Sequence, residues 1–229
     1  MNILAIETTG PVSSVALACP GKVIAEFSIN SGLTHSETLM PMLDHMLTAS
    51  GFAKASIDAI AVSGGPGSFT GLRIGASAAK GLAFALGLQI VPVSTLDALA
   101  YNVITWEGGI VPIMDARRNQ VYTALYDSED GKIVRQSDYL ACDFDEIAAM
   151  ARKVGKKTMF LGDGVAIHRE KIVESGFSIA PEAFLLQRAV SVGAIALETA
   201  GHAAVNANQF EPFYIRPSQA EREYQKNHD

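Results

Sequence analysis

The sequence predicts an α/β protein built from two copies of one βββαβα unit. Two observations carry this. The order of strand-like and helix-like patterns repeats along the chain, and each copy opens on an apolar run that ends in an acid, Glu7 in the first and Asp115 in the second. A third is composition: 229 residues, 48% of them hydrophobic and only 18% charged, supply apolar surface for two cores.

In the first copy, Asn2 to Thr8 is a nearly continuous apolar run and Ser13 to Cys19 alternates. Lys22 to Ile29 completes a meander after the Pro20-Gly21 turn. A helix is expected from Ser36 to Ser50, a strand from Ile57 to Ser63, and a glycine-rich loop from Gly64 to Gly71. A helix to Leu86, a strand from Gln89 to Val93 and a helix starting near Ser94 follow. The second copy begins at Ile110 to Met114, alternates over Gln120 to Tyr126, and turns at Glu129-Asp130-Gly131 before Lys132 to Val134. A helix over Asp143 to Val154 and a strand over Lys157 to Leu161 continue the match. The halves are expected at residues 1–105 and 106–229, the second being smaller and ending in a polar tail.

Composition also excludes functions. The net charge is −6 without a basic run, so the chain is a poor nucleic-acid binder by itself and any nucleic-acid contact is expected only through a complex. Cys19 and Cys142 lack CxxC spacing and read as small core residues in a reducing compartment. The apolar run Ile3–Ile6 has no basic flank, and Leu82–Val93 is broken by Gly87, Gln89 and Pro92. A cytoplasmic location without a membrane partner is therefore expected.

Two helices carry more apolar surface than one sheet requires. Leu39, Met40, Met42, Leu43, Met46, Leu47 and Ala49 fill about half the wheel at roughly 100° per residue. From Leu72 to Leu86 only Arg73, Ser77 and Lys80 are polar. Gly71, Gly75 and Ala79, spaced by four, would let another helix approach closely. A positive mean hydropathy of +0.20 agrees with a surface that a partner covers.

Specific motifs sharpen the reading. They are Ile3-Leu4-Ala5-Ile6-Glu7-Thr8-Thr9, the run Gly64-Gly65-Pro66-Gly67-Ser68-Phe69-Thr70-Gly71-Leu72-Arg73-Ile74-Gly75, His35-Ser36-Glu37, Asp115-Ala116-Arg117, and Glu211-Pro212-Phe213-Tyr214-Ile215-Arg216-Pro217. Together they resemble the TsaB (YeaZ) family of tRNA threonylcarbamoyladenosine biosynthesis over nearly the whole chain. The resemblance implies the duplicated actin/Hsp70/sugar-kinase-like (ASKHA, ribonuclease H-like) fold. It also implies a non-catalytic subunit that binds and activates a related catalytic subunit, TsaD, together with the ATPase TsaE, and that forms homodimers in isolation. In such proteins the two apolar helices make the contact, which places an interface at Leu39, Met42, Leu43, Met46, Leu72, Arg73, Ile74, Gly75 and Ala78.

Enzymatic alternatives weigh less on these residues. A metallopeptidase-like site needs imidazoles at i and i+4, but His35 is followed four residues on by Leu39 and His45 by Ala49, while His168, His202 and His228 are scattered. A small-molecule kinase needs glycines where hairpins meet ATP phosphates. Glu7, Thr8 and Thr9 keep part of that chemistry, whereas Arg117 and Arg118 follow Asp115 where glycine is wanted. Asp115, Arg117 and Gly162 are thus kept with Glu7, Thr8 and Thr9 as a pocket remnant. No cofactor is expected beyond weak ATP or ADP binding at a subunit contact. The loop Gly64–Gly71 lacks a P-loop's Gly-Lys-Ser/Thr ending and reads as a tight turn capped by Ser68 or Thr70. Arg117 and Arg118, and the tail's Arg216, Arg222 and Lys226, could add to an RNA path in a complex.

Overall fold

The computed structural model describes residues 1–216; Arg222, Lys226 and His228 lie outside the described residues. Its first sheet contains β1 (Ile3–Glu7), β2 (Ser13–Cys19), β3 (Lys22–Ile29), β4 (Ala59–Gly65) and β5 (Gln89–Ser94), in the order β3-β2-β1-β4-β5. The meander is antiparallel, while β4 and β5 run parallel to β1. Both faces of β1 are buried, which is why its sequence is a continuous apolar run rather than an alternation.

Alternate residues of that sheet meet different layers. Leu4, Ile6, Val15 and Leu17 pack against α1 (His35–Ser50) and α2 (Phe69–Leu86). Ile3, Ala5, Ala16 and Ala61 pack against α7 (Ala189–Ala203), together with Ala98 of α3 (Thr95–Tyr101). The second face is lined with alanines because α7 comes close: a Cβ on Gly193 would lie 3.4 Å from those of Ala5 and Ala18.

The second sheet is built from β6 (Gly108–Asp115), β7 (Gln120–Thr123), β8 (Tyr126–Glu129), β9 (Lys132–Arg135), β10 (Leu140–Asp143), β11 (Thr158–Leu161) and β12 (Ser178–Ile179). Its main path is β10-β7-β6-β11-β12, the first sheet's pattern again, with β8 and β9 attached to the start of β6. Helices α4 (Phe144–Val154), α5 (Val165–Glu174) and α6 (Glu182–Leu185) accompany it.

The expected strand Gln120–Tyr126 is interrupted at Ala124 and Leu125. There Leu125 accepts from the Gln136 amide (2.7 Å) and donates to Ser137 Oγ (2.9 Å). The third strand is divided by the same kink into β9 and β10.

A division at 105/106 separates the two sheets but not the layers. Helix α7 and the segment after it return to the first sheet: Val205 bridges Ile90, Phe210 is buried, and the Phe213 amide donates to Gly64 O (2.7 Å). Between the halves, Asp97 on α3 accepts from Tyr126 Oη (2.6 Å) and Tyr139 Oη (2.9 and 3.0 Å). Burial beside that carboxylate pushes the Tyr139 phenol up to about 12. No helix among the described residues is long and apolar enough to cross a membrane.

Candidate functional site: a cleft and a helical face

The ends of β1 and β6 face a cleft of about 700 Å³ between the halves. On the first wall, Glu7 is fully buried. Its Oε1 accepts from the Thr9 amide (2.5 Å) and Thr9 Oγ1 (2.6 Å), and its Oε2 accepts from Ser63 Oγ. Burial raises the carboxyl above its ordinary value; the donors pull it back in part, and the charge of Asp163 adds to the rise.

Helix α2 starts immediately beside this hairpin. Ser68 caps it, accepting from the Gly71 amide (3.3 Å), and donates its own amide to Thr9 O (2.8 Å). Thr8 Oγ1 donates to Gly71 O (2.8 Å). A Cβ at Gly67 would strike Thr9 O, one at Gly71 would strike Thr8 O, and one at Gly75 would strike Thr8 Oγ1. The glycines therefore serve close approach of α2 to its own hairpin. The expected role of Gly75 in a contact with a second molecule is corrected accordingly, since Gly75 is buried against Thr8.

On the opposite wall, Asp115 Oδ1 accepts from the Arg117 amide (2.8 Å), while the Arg117 guanidinium lies 3.7 Å away and is largely exposed. Arg117, Arg118 and Asn119 all have φ between 54° and 64°, the left-handed region that glycine adopts at least cost. Asp163 takes the Asp115 amide (3.3 Å) and Gln187 Nε2 (2.8 Å), and burial raises its carboxyl. Gln187 also fills the space above Gly10, where any Cβ would hit its amide group.

Of the expected pocket residues, Thr9, Asp115 and Arg117 line the cleft. Glu7 and Thr8 lie beneath the wall as framework. Gly162 is a turn residue behind it: its φ is 101°, its amide donates to Leu185 O (2.7 Å), and a Cβ would strike Ile113 O. Asp163, next to Gly162, joins the lining, as do Ser68, Tyr122 and Tyr214. For the aromatic tail the available signal was Phe210, Phe213 and Tyr214 in an otherwise polar stretch.

The second candidate region is the outer face of α1 and α2. Leu39, Met42, Leu43, Met46 and Leu72 are at most 4% exposed, and the first four share one core cluster with Leu4, Ile6 and Val62. They belong to the chain's own core, which corrects their expected place in an interface. Arg73 is exposed, and Ile74 and Ala78 are half-buried. These three line a groove of about 610 Å³ between the helices, with Met40, Phe69 and His35. Met40 is 50% exposed, and Phe84, further along α2, is 83% exposed. His35 Nε2 pairs with Gly10 O (2.9 Å), His45 stands edge-on to Phe27, and His168 stacks on Phe144. Among the described residues no three His, Cys, Asp or Glu side chains are grouped to hold a metal ion.

Two sheets of matching order, with Asp115 at the cleft between them and Glu7 buried beneath its other wall, give the duplicated fold of the actin, Hsp70 and sugar-kinase type. Residues 23–224 match the family described as TsaD, tRNA N6-adenosine threonylcarbamoyltransferase. The TsaB protein of Bacillus subtilis is 37% identical over 75% of both chains, and that of Escherichia coli 33% identical over 94% of this chain and 95% of its own. YeaZ from Pseudomonas aeruginosa superposes with a TM-score of 0.76 at 26% identity, covering 93% of this chain and all of that one. The chain belongs to the TsaB (YeaZ) family of tRNA threonylcarbamoyladenosine biosynthesis proteins.

Proposed function

We propose that this chain is a non-catalytic subunit required for threonylcarbamoyl transfer to N6 of the adenosine 3′ of the tRNA anticodon. It binds and activates a TsaD-type catalytic paralogue, acting with a TsaE-type ATPase in the cytoplasm. Activation would come from binding one conformation of the paralogue better than another. The observation that supports this is the outer face of α1 and α2, where Met40, Ile74, Ala78 and Phe84 leave apolar surface beside a groove. The same face would pair two copies when the paralogue is absent. Contact with tRNA is indirect, as an acidic chain requires.

The residues disfavour the enzymatic readings. Position 39, where a second imidazole would stand, holds a leucine buried in the core. A kinase would need backbone amides open at both hairpins, and the second carries Arg117 and Arg118. No resident cofactor belongs to this reading; the cleft supports at most weak ATP or ADP binding.

Phe84→Asp and Ile74→Glu test the proposal. Each should weaken binding to the catalytic paralogue by at least about tenfold, about 1.4 kcal/mol, and lower tRNA modification in a reconstituted system, while circular dichroism stays unchanged. Unaltered binding by both variants, or full tRNA modification without this chain, would remove it.

A further inference from the structure

The four residues Phe213 to Arg216 cross the mouth of the cleft as a strap. One end is held on the first half, where the Phe213 amide donates to Gly64 O (2.7 Å). The other reaches the second half, where Arg216 Nη2 donates to Ala141 O (3.2 Å). Between them, Tyr214 stacks on Phe69 with ring centres 4.4 Å apart and planes 25° apart. The guanidinium of Arg73 lies 4.5 Å from the centre of the same Phe69 ring. All four strap residues line the cleft, none is fully buried, and they adopt no regular secondary structure. Few contacts hold such a segment, so it opens at low cost relative to the sheets beneath it.

What the strap covers has a recognisable chemistry. Phe69 is an aromatic platform at the first residue of an 18-residue helix. Ser68, Thr70, Thr9, Gly10 and, from the opposite wall, Arg117 line the same cleft. A flat ring next to hydroxyls and a guanidinium suits a ligand with a planar base and a phosphate tail. Yet the ring seat is occupied by the chain itself.

We propose that Tyr214 is an internal surrogate for such a base: the strap latches the cleft shut, and a nucleoside phosphate enters only by displacing Tyr214 from Phe69. This rests on the cleft's capacity to take a nucleotide; because Phe69 and Arg73 also line the groove between α1 and α2, nucleotide binding is read directly and apart from partner binding. Loss of the latch would make nucleotide binding tighter, the reverse of what removing a contact residue does.

Calorimetric titration of the full chain with ADP, adenosine and pyrophosphate tests it, with thermal unfolding followed alongside. Tyr214→Ala should bind ADP about tenfold more tightly than the wild type, the loss of one ring-stacking competitor. Tyr214→Phe, which keeps the ring, should bind as the wild type does, and pyrophosphate affinity should be the same in all three. Hydrogen exchange at the Phe213 amide should rise when ADP is added to the wild type. A chain ending at Pro212 provides a second unlatched form should Tyr214→Ala fold poorly. If ADP binds all variants equally, the latch is wrong and the cleft remains a nucleotide site. If no variant binds ADP, both are wrong, and the partner-binding role of α1 and α2 is untouched.

Discussion

The two halves repeat one topology, yet α4 of the second exposes a charged face where α1 and α2 of the first expose apolar residues. In the second half, α4 buries Phe144, Ile147, Ala148 and Ala151 and turns Asp145, Glu146, Arg152 and Lys153 away from the sheet. In the first half, α1 and α2 bury equally apolar stripes and then carry Met40, Ile74 and Phe84 on the side away from the sheet. The second pattern is that of a helix finished by its own sheet, whereas the first leaves apolar area uncovered. The strand ends differ in parallel. Glu7 is sealed by Thr9 and Ser63 and by a glycine-lined helix, while Asp115 stays at the cleft under a hairpin of long side chains. Duplication thus left apolar area uncovered on α1 and α2 where the helix α4 of the other half carries charge.

The strongest way to break this comparison is to exchange the roles of inner and outer residues on the first half. Leu39→Asp puts a carboxylate into a site 1% exposed and should cost about 4 kcal/mol or more, combining a lost apolar side chain with a buried charge. Ile74→Glu, at the groove, should cost less than about 1 kcal/mol. Urea unfolding of both variants measures the difference. Equal stabilities would mean that Leu39 does not belong to the core, and the assignment of inner and outer stripes would fall.

A smaller effect is expected at the sealed strand end. Because burial holds the Glu7 carboxyl above 4.5, the folded state binds a proton more readily than the unfolded chain does. The contribution of this group is therefore full below pH 4.5 and is lost as pH rises towards the folded value. Glu7→Gln imitates the protonated acid: its amide oxygen can accept from Thr9 and its NH₂ can donate to Ser63 Oγ. Unfolding free energies measured from pH 4.5 to 8 should show the wild type losing stability relative to Glu7→Gln as pH rises. A constant difference would mean that Glu7 titrates alike in both states.

Much of this architecture was legible in the chain. Continuous apolar runs marked β1 and β6, and the Pro20-Gly21 and Asp130-Gly131 turns marked the meanders. The helical wheel correctly grouped Leu39, Met42, Leu43 and Met46, but it could not say which partner that group meets. Their 3–4 spacing is the signature of packing on the chain's own sheet, and the extra width came from Met40 and Ala49, which are left outside. Gly71 and Gly75 misled for a related reason, since small residues at spacing four announce close approach without naming what approaches. Gln187 carried no local signal, because its partners Gly10 and Asp163 are distant in sequence. The kink at Ala124–Leu125 was hidden by alternation on both of its sides.

The smallest effect separates the turns of the two halves by backbone alone. Gly21, at φ 72° in the first half, has nothing within 4 Å of an added Cβ, so Gly21→Ala tests conformation without packing. It should destabilise by about 1 kcal/mol, the cost of holding a side chain in the left-handed region. Arg118, at φ 54°, already bears that cost, and Arg118→Gly should recover it less the entropy that glycine loses on folding, a net gain of about 0.5 kcal/mol. Shifts of the urea midpoint in opposite directions would show that the hairpin at the cleft carries backbone strain of the kind that a glycine spares the turn at Gly21. If Arg118→Gly were instead destabilising, the arginine side chain would have to be anchoring the hairpin, and the second half would be holding its side of the cleft open by contact rather than at the expense of its backbone.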